Sequence, residues 1–150
     1  RGTGEGGGNQ RGAVCRKRVG EAMMERHGLH EEYPHWGEGS SASRERRLDE
    51  LELEQQASDY IRDLPFLWVK VDDEPGPESD RAYIERNTIA LVSNYSKGSI
   101  DSRDTGWLGN ASPCEEIRQS GLWNINHVGE RYDPAFLDRL KTAVETTTPP

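Results

Sequence analysis

Apolar residues return along this chain at two rhythms. Between residues 12 and 27, Val14, Cys15, Val19, Ala22, Met23 and Arg26 recur at three- and four-residue steps, which predicts one face of a helix. Gly28 follows, where a residue with positive φ closes a helix. A weaker seam of Leu48, Leu51, Gln55, Ser58 and Ile61 predicts a helix over 44–63, stopped by Pro65. The best helix is 80–94, capped by Ser79 or Asp80. Ile84, Thr88, Leu91 and Val92 make one stripe, and Ala82, Glu85, Ile89 and Val92 an adjoining one. Ser112-Pro113-Cys114-Glu115 reads as a helix start, with Ser as N-cap, Pro at the first position and Glu completing a capping box; Gly121 ends that helix. Asp133-Pro134 opens a last helix with Phe136, Leu137, Leu140 and Val144 inward.

The second rhythm is that of strands. Phe66-Leu67-Trp68-Val69-Lys70-Val71 is β-rich, nearly continuous and bounded by Pro65 and by Asp72-Asp73. A run this apolar predicts an inner strand covered on both faces. Leu122 to Val128 alternates and reads as a short strand or an extended packing segment. The expected fold class is therefore α/β (α+β), a small central sheet flanked by helices. Residues 1–10 are expected to be a Gly-rich loop, residues 11–144 a single domain, and residues 145–150 a disordered tail.

Composition narrows the function classes. Apolar residues are only 32% of the 150, so the core is small for the length. No apolar run approaches the ~20 residues that span a bilayer, and no partner role for a membrane is expected. Cys15 and Cys114 fit no metal spacing. They are expected as two buried thiols in a reducing cytoplasm, with a disulfide as the alternative. The net charge is −8, yet residues 1–30 hold six bases against three acids. An acidic protein meets phosphates only through a local patch. Arg11, Arg16, Lys17 and Arg18 form the dense one, which reads equally as a solvated helix surface.

No Gly-x-Ser-x-Gly, His-Glu-x-x-His or Cys-x-x-Cys occurs, and the Gly-rich start lacks the strand and the Gly-Lys-Ser/Thr of a P-loop. His27, His30 and His35 lack the helical spacing of a zinc site and read as exposed loop histidines. One acid stands out. Glu85 lies at the edge of an apolar helix face, where a carboxylate must be paired or must hold a cation. Arg81 and Arg86 offer the pairing. A hard cation that keeps most of its waters offers the other solution, since one or two carboxylates suffice for it.

The stretch Arg81-Ala-Tyr-Ile-Glu-Arg-Asn-Thr-Ile-Ala-Leu-Val-Ser-Asn94, following Phe66–Val71, resembles the second half of a GIY-YIG nuclease domain. In that family a hairpin bearing the two tyrosine motifs precedes an arginine-bearing helix, a third strand and a helix with a metal-binding glutamate. The resemblance places Glu85 at that glutamate, with Ile89 four residues on, and Asn94 at a downstream asparagine. Gly121-Leu-Trp-Asn-Ile-Asn-His127 and Tyr132-Asp-Pro also resemble a C-terminal extension of such proteins. Neither GIY nor YIG occurs here, so the hairpin is expected before Arg1 and the chain is expected as the C-terminal part of the domain, a truncated or inactive form.

The resemblance implies a metal-dependent DNA endonuclease. Glu85 would hold Mg²⁺ or Mn²⁺, Arg16 would steady the phosphate and Asn94 would support the site. Arg11, Arg18 and His127 would contact DNA. The alternative is a non-catalytic structural or partner-binding module with Glu85 in an ion pair.

Overall fold

The computed structural model describes residues 10–147. The expected Gly-rich loop therefore lies, except for Gln10, outside the described residues. Among the described residues six helices follow one another: α1 (Val14–His27), α2 (Arg44–Asp49), α3 (Leu51–Asp63), α4 (Asp80–Val92), α5 (Glu115–Ser120) and α6 (Phe136–Thr146). A short 3-10 turn at Gln10–Gly12 precedes α1, and another at Leu108–Ala111 lies between α4 and α5. α1 packs against α3 and the Leu108–Ala111 turn, α5 sits on that same turn, and α4 packs against α6.

The core has two parts that share Met23. Val19, Ala22, Ala57 and Leu108 meet Tyr60, Ile61 and Trp123 in one. Met24, Tyr33, Trp36 and Leu53 meet Leu29 in the other. Gly20 makes the second possible. A Cβ there would stand 2.1 Å from the Trp36 ring, so only glycine lets the indole lie on α1. The indole N–H then donates to the Lys17 carbonyl at 3.1 Å, which satisfies its one polar atom.

Several helix signals act locally as expected. Gly28 and Gly121 close α1 and α5 at φ 69° and 76°. The Ser79 hydroxyl accepts from the Ala82 amide at 3.1 Å and caps α4. Other signals are redirected. The helix expected over 44–63 breaks at Glu50, whose carboxylate turns inward to a buried arginine. The Ser112 hydroxyl accepts from the Cys114 amide two residues on, and α5 begins only at Glu115, without a side-chain cap. On α6, Phe136 and Ala143 are buried, whereas Leu137 and Val144 face solvent. The helix runs to Thr146, two residues into the expected tail. Cys15 and Cys114 are free thiols, the first exposed and the second half-buried, so neither is the buried thiol expected.

The expected α/β class is corrected: the fold is helical, with no strand among the described residues. Phe66–Val71 is irregular, with Phe66 83% and Leu67 100% exposed. A strand is defined by the neighbour that pairs its backbone, and among the described residues no segment pairs with this one. Its main chain is tied down elsewhere: the Lys70 amide donates to Thr147 Oγ1 at 2.9 Å, and the Val71 carbonyl accepts from Arg81 at 3.2 Å. Leu122–Val128 is likewise a series of bends. No helix among the described residues is long and apolar enough to cross a membrane.

Leu67→Ser is expected to change unfolding free energy by no more than about 0.5 kcal/mol, the usual range for exposed sites. Leu53→Ala is expected to lose about 2–5 kcal/mol, since Leu53 is fully buried. Urea denaturation of the two variants checks both. A loss at Leu67 as large as at Leu53 would restore the inner strand.

Candidate functional site

The basic cluster near the start of the chain is drawn into the structure. The Arg11 guanidinium grips Glu50 with both terminal nitrogens, at 2.5 and 2.8 Å. Their side chains are 1% and 3% exposed, so this is an ion pair out of water. The bond to Glu50 holds Arg11 above its ordinary value. Beside it, the Gln10 amide donates to Glu54 at 2.9 Å, and burial still pushes the Glu54 carboxyl up. Arg16 faces Glu54 electrostatically, and among the described residues its buried Nε has no hydrogen-bond partner. Arg18 donates to Glu21 at 3.0 Å, and Lys17 to the Gly37 carbonyl at 2.9 Å. Arg11, expected to meet DNA, is thus not presented to solvent.

The other expected residues lie along or beyond α4. Glu85 is exposed, and among the described residues it makes no ion pair. Arg81 pairs instead with Asp73 at 3.6 Å and Arg86 with Glu130 at 2.5 Å, which corrects the pairing expected for Glu85. Asn94 lies just past α4. Its amide nitrogen donates to the Asp101 carbonyl at 3.1 Å, while its buried Oδ1 has no donor among the described residues. It lines a cleft of about 710 Å³ with Ser99, Ser102, Arg103, Thr105 and Arg118. Arg16 and Arg18 stand on α1 and Glu85 on α4, elements that do not pack on each other.

A tighter constellation forms where the 127–133 segment crosses α4. His127 Nδ1 meets Glu130 Oε1 at 2.7 Å, and the other oxygen of Glu130 accepts from Arg86 Nε. His127 and Arg86 together hold the Glu130 carboxyl below its usual range. The turn is clamped on every side. The Glu130 amide donates to the His127 carbonyl at 3.1 Å, Ser93 Oγ to the Val128 carbonyl at 2.7 Å, and Lys97 Nζ to the carbonyls of Glu130 and Ala90. Just beyond it, the Asn87 side chain accepts from the Asp133 amide at 2.7 Å and Tyr83 donates to the Asp133 carboxylate at 2.6 Å.

His127 adopts φ 61°, a left-handed conformation that costs a non-glycine residue about 1–3 kcal/mol. Among the described residues only Ser96, next to Lys97, shares this among non-glycines. His127 and Arg86 stand out in the sequence; Glu130 and Lys97 join them only in the fold. The His127-x-x-Glu130 spacing was the available signal, and it is too common to be read without the turn.

For a metal the donors are sparse. No group of three or more His, Cys, Asp or Glu among the described residues could hold an ion. The exposed Glu85 carboxylate fits a hard, mostly hydrated cation of the Mg²⁺ or Mn²⁺ kind, and does not fit a dehydrated zinc-type site.

A family model described as a GIY-YIG domain matches residues 1–150. No curated protein and no solved structure matches the chain.

The Glu130 and Asp133 carboxyls are both held below their usual values, by His127 and Arg86 in one case and by Tyr83 and the Ala135 amide in the other. As pH falls, the unfolded chain takes up protons at these groups first. Their stabilisation is complete above the ordinary carboxylate range and is lost as pH falls through the folded values, from about pH 5 downwards. Glu130→Gln and Asp133→Asn are expected to flatten the acid limb of Tm against pH. An acid limb identical to that of the parent in both variants would remove these groups from the account.

Proposed function

The chain belongs to the GIY-YIG domain family, and on that premise we propose that it is a metal-dependent DNA endonuclease that hydrolyses phosphodiester bonds. The observation that carries this reading is the match of the family model along residues 1–150. Glu85 holds the divalent cation, Mg²⁺ or Mn²⁺. Its exposed, unpaired carboxylate supports that role, because a hard cation keeping most of its waters needs few protein oxygens. Bound there, the cation supplies charge stabilisation at the phosphoryl group. Beyond the end of α4, Asn94 supports the site and His127 contacts the DNA. Arg16 and Arg18 guide phosphate from α1. Arg11 serves the fold and takes no part in DNA contact.

A second reading is a non-catalytic, partner-binding module. The use of Arg11 in a buried ion pair and a net charge of −8 favour it, since both weaken the field that draws DNA.

Plasmid nicking separates the two. Nicking with Mg²⁺ or Mn²⁺ is expected, with loss on chelation and a fall of about 10²-fold or more in Glu85→Ala, as expected for loss of a metal's charge stabilisation. Mg²⁺ is also expected to raise the Tm of the parent by mass action, and not that of Glu85→Ala. Neither nicking nor a metal-dependent Tm in the parent would leave the module reading in place.

A further inference from the structure

We infer that the cleft beyond α4 binds a 5′-nucleotide, with the phosphate on Arg103 and Arg118 and the base on Asn94. The site goes beyond the nuclease reading and stands whether or not the chain cuts DNA. Glu85 is not among the described residues that line it. The cleft measures about 710 Å³, within the ~300–1,000 Å³ of small-molecule sites. A smaller recess of about 180 Å³ shares Asn94, Ser102 and Arg103 with it. One ligand can therefore reach both.

The two arginines are held by neutral groups. Arg103 donates through Nε to Asn110 Oδ1 at 2.7 Å. Asn110 is itself fixed, since its Nδ2 donates to the carbonyls of Asp104 and Thr105 at 3.1 and 3.0 Å. Arg118 donates through one terminal nitrogen to the Ser112 carbonyl at 2.6 Å. Among the described residues neither guanidinium makes a salt bridge, and their other N–H groups have no acceptor. A guanidinium anchored in this way keeps a planar fork for an anion. Ser99, Ser102 and Thr105 add hydroxyls to the same cleft. A carboxylate is satisfied by a single fork, whereas two forks and three hydroxyls suit the three terminal oxygens of a phosphomonoester. The acids nearby leave room for it. Asp104 Oδ1 turns into its own loop and accepts from the Gly106 amide at 2.6 Å, Asp101 lines the recess, and Glu116 acts on Arg118 electrostatically.

Asn94 supplies the other end of the site. Its backbone amide donates to the Ser120 carbonyl at 2.9 Å and its Nδ2 to the Asp101 carbonyl at 3.1 Å, which fixes the way the side-chain amide points. A Cβ on Gly121 would stand 3.3 Å from Asn94 Nδ2 and 3.5 Å from Arg103 Cβ, so the two side chains pack about one glycine. Asn94 Oδ1 is buried with no donor among the described residues, a destabilising state for an acceptor. A ligand N–H relieves it. Val92, Ile100 and Leu122 give the recess apolar walls, and Ile100 is 71% exposed. Adenine meets both demands, with an amino group at the edge of a flat ring. A free mononucleotide and the 5′-phosphorylated end of a strand share this chemistry.

The test titrates the whole chain with AMP, ribose 5-phosphate and adenosine in a calorimeter, and with one oligonucleotide that begins in adenosine, with and without a 5′-phosphate. AMP is expected to bind, with ribose 5-phosphate about 10-fold weaker and adenosine about 100-fold weaker. Arg103→Gln and Arg118→Gln are each expected to weaken AMP about 10–100-fold, the range for a hydrogen bond to a charged group, with the parent's circular dichroism. Asn94→Leu is expected to erase the preference for AMP over ribose 5-phosphate and to keep the phosphate affinity. In ¹H–¹⁵N spectra of the parent, AMP is expected to move amides within 94–105 and 118–121. AMP binding tighter than the phosphorylated strand supports a free nucleotide as the ligand, and the reverse order supports a strand end. Three outcomes overturn the inference: no AMP binding by the parent, binding that both arginine variants retain, or shifts confined to other segments. A strand that binds equally well without its 5′-phosphate, when AMP does not bind, overturns it too. A chain that binds AMP and does not nick plasmid keeps this site and loses the nuclease reading.

Discussion

Two opposite charges lie out of water where the Gln10–Gly12 turn meets the junction of α2 and α3. Removing a carboxylate and a guanidinium from solvent costs several kcal/mol each, at the order-of-magnitude level, and only close geometry recovers it. The two-pronged contact of Arg11 with Glu50 provides that geometry. It also explains features of the surrounding fold. It stands at the point where the 44–63 helix breaks, brings Gln10 against Glu54, and lays the start of α1 across α3. The apolar core then closes over α1, with Gly20 admitting Trp36 and Met23 bridging both clusters.

In the second half of the molecule, polar contacts tie the 127–133 segment to α4. α4 buries Ile84 and Ala90, but Asn87 is buried between them in sequence and ties Asp133 to the helix. Ser93 and Lys97 hold the next segment by its carbonyls. Each bond is modest alone, of order 1 kcal/mol. Together they define one turn in a strained conformation. That turn presents an imidazole, and a chain with so few apolar residues has little other means of fixing it.

The charge pattern has the same lesson. Six bases in the first thirty residues suggest a surface for phosphate. In the folded chain Arg11 meets Glu50, Arg18 meets Glu21, Lys17 meets the Gly37 carbonyl, and Arg26 meets the carbonyls of Gly106 and Trp107. Basic side chains adjacent in sequence are thus distributed among separate partners. The cations that hold the Glu130 turn come from elsewhere, from α4 and the loop after it.

What the sequence determined by itself is what depends on neighbours a few residues away. Helix periodicity, the Ser79 cap and the closing glycines Gly28 and Gly121 all act within one turn of chain, so they are legible in order along it. The family is legible too, since the Glu85-bearing helix carries the resemblance and the family model matches. The class of fold was not legible, because Phe66–Val71 has the composition of a strand and a strand exists only where another pairs with it. The partners of charged groups were not legible either. Glu130 lies 44 residues from Arg86, and Glu50 lies 39 from Arg11, so only the tertiary structure could bring them together. Burial of charge at Arg11 and Glu50, and the Glu130 contacts at the strained His127 turn, are properties of those distant contacts.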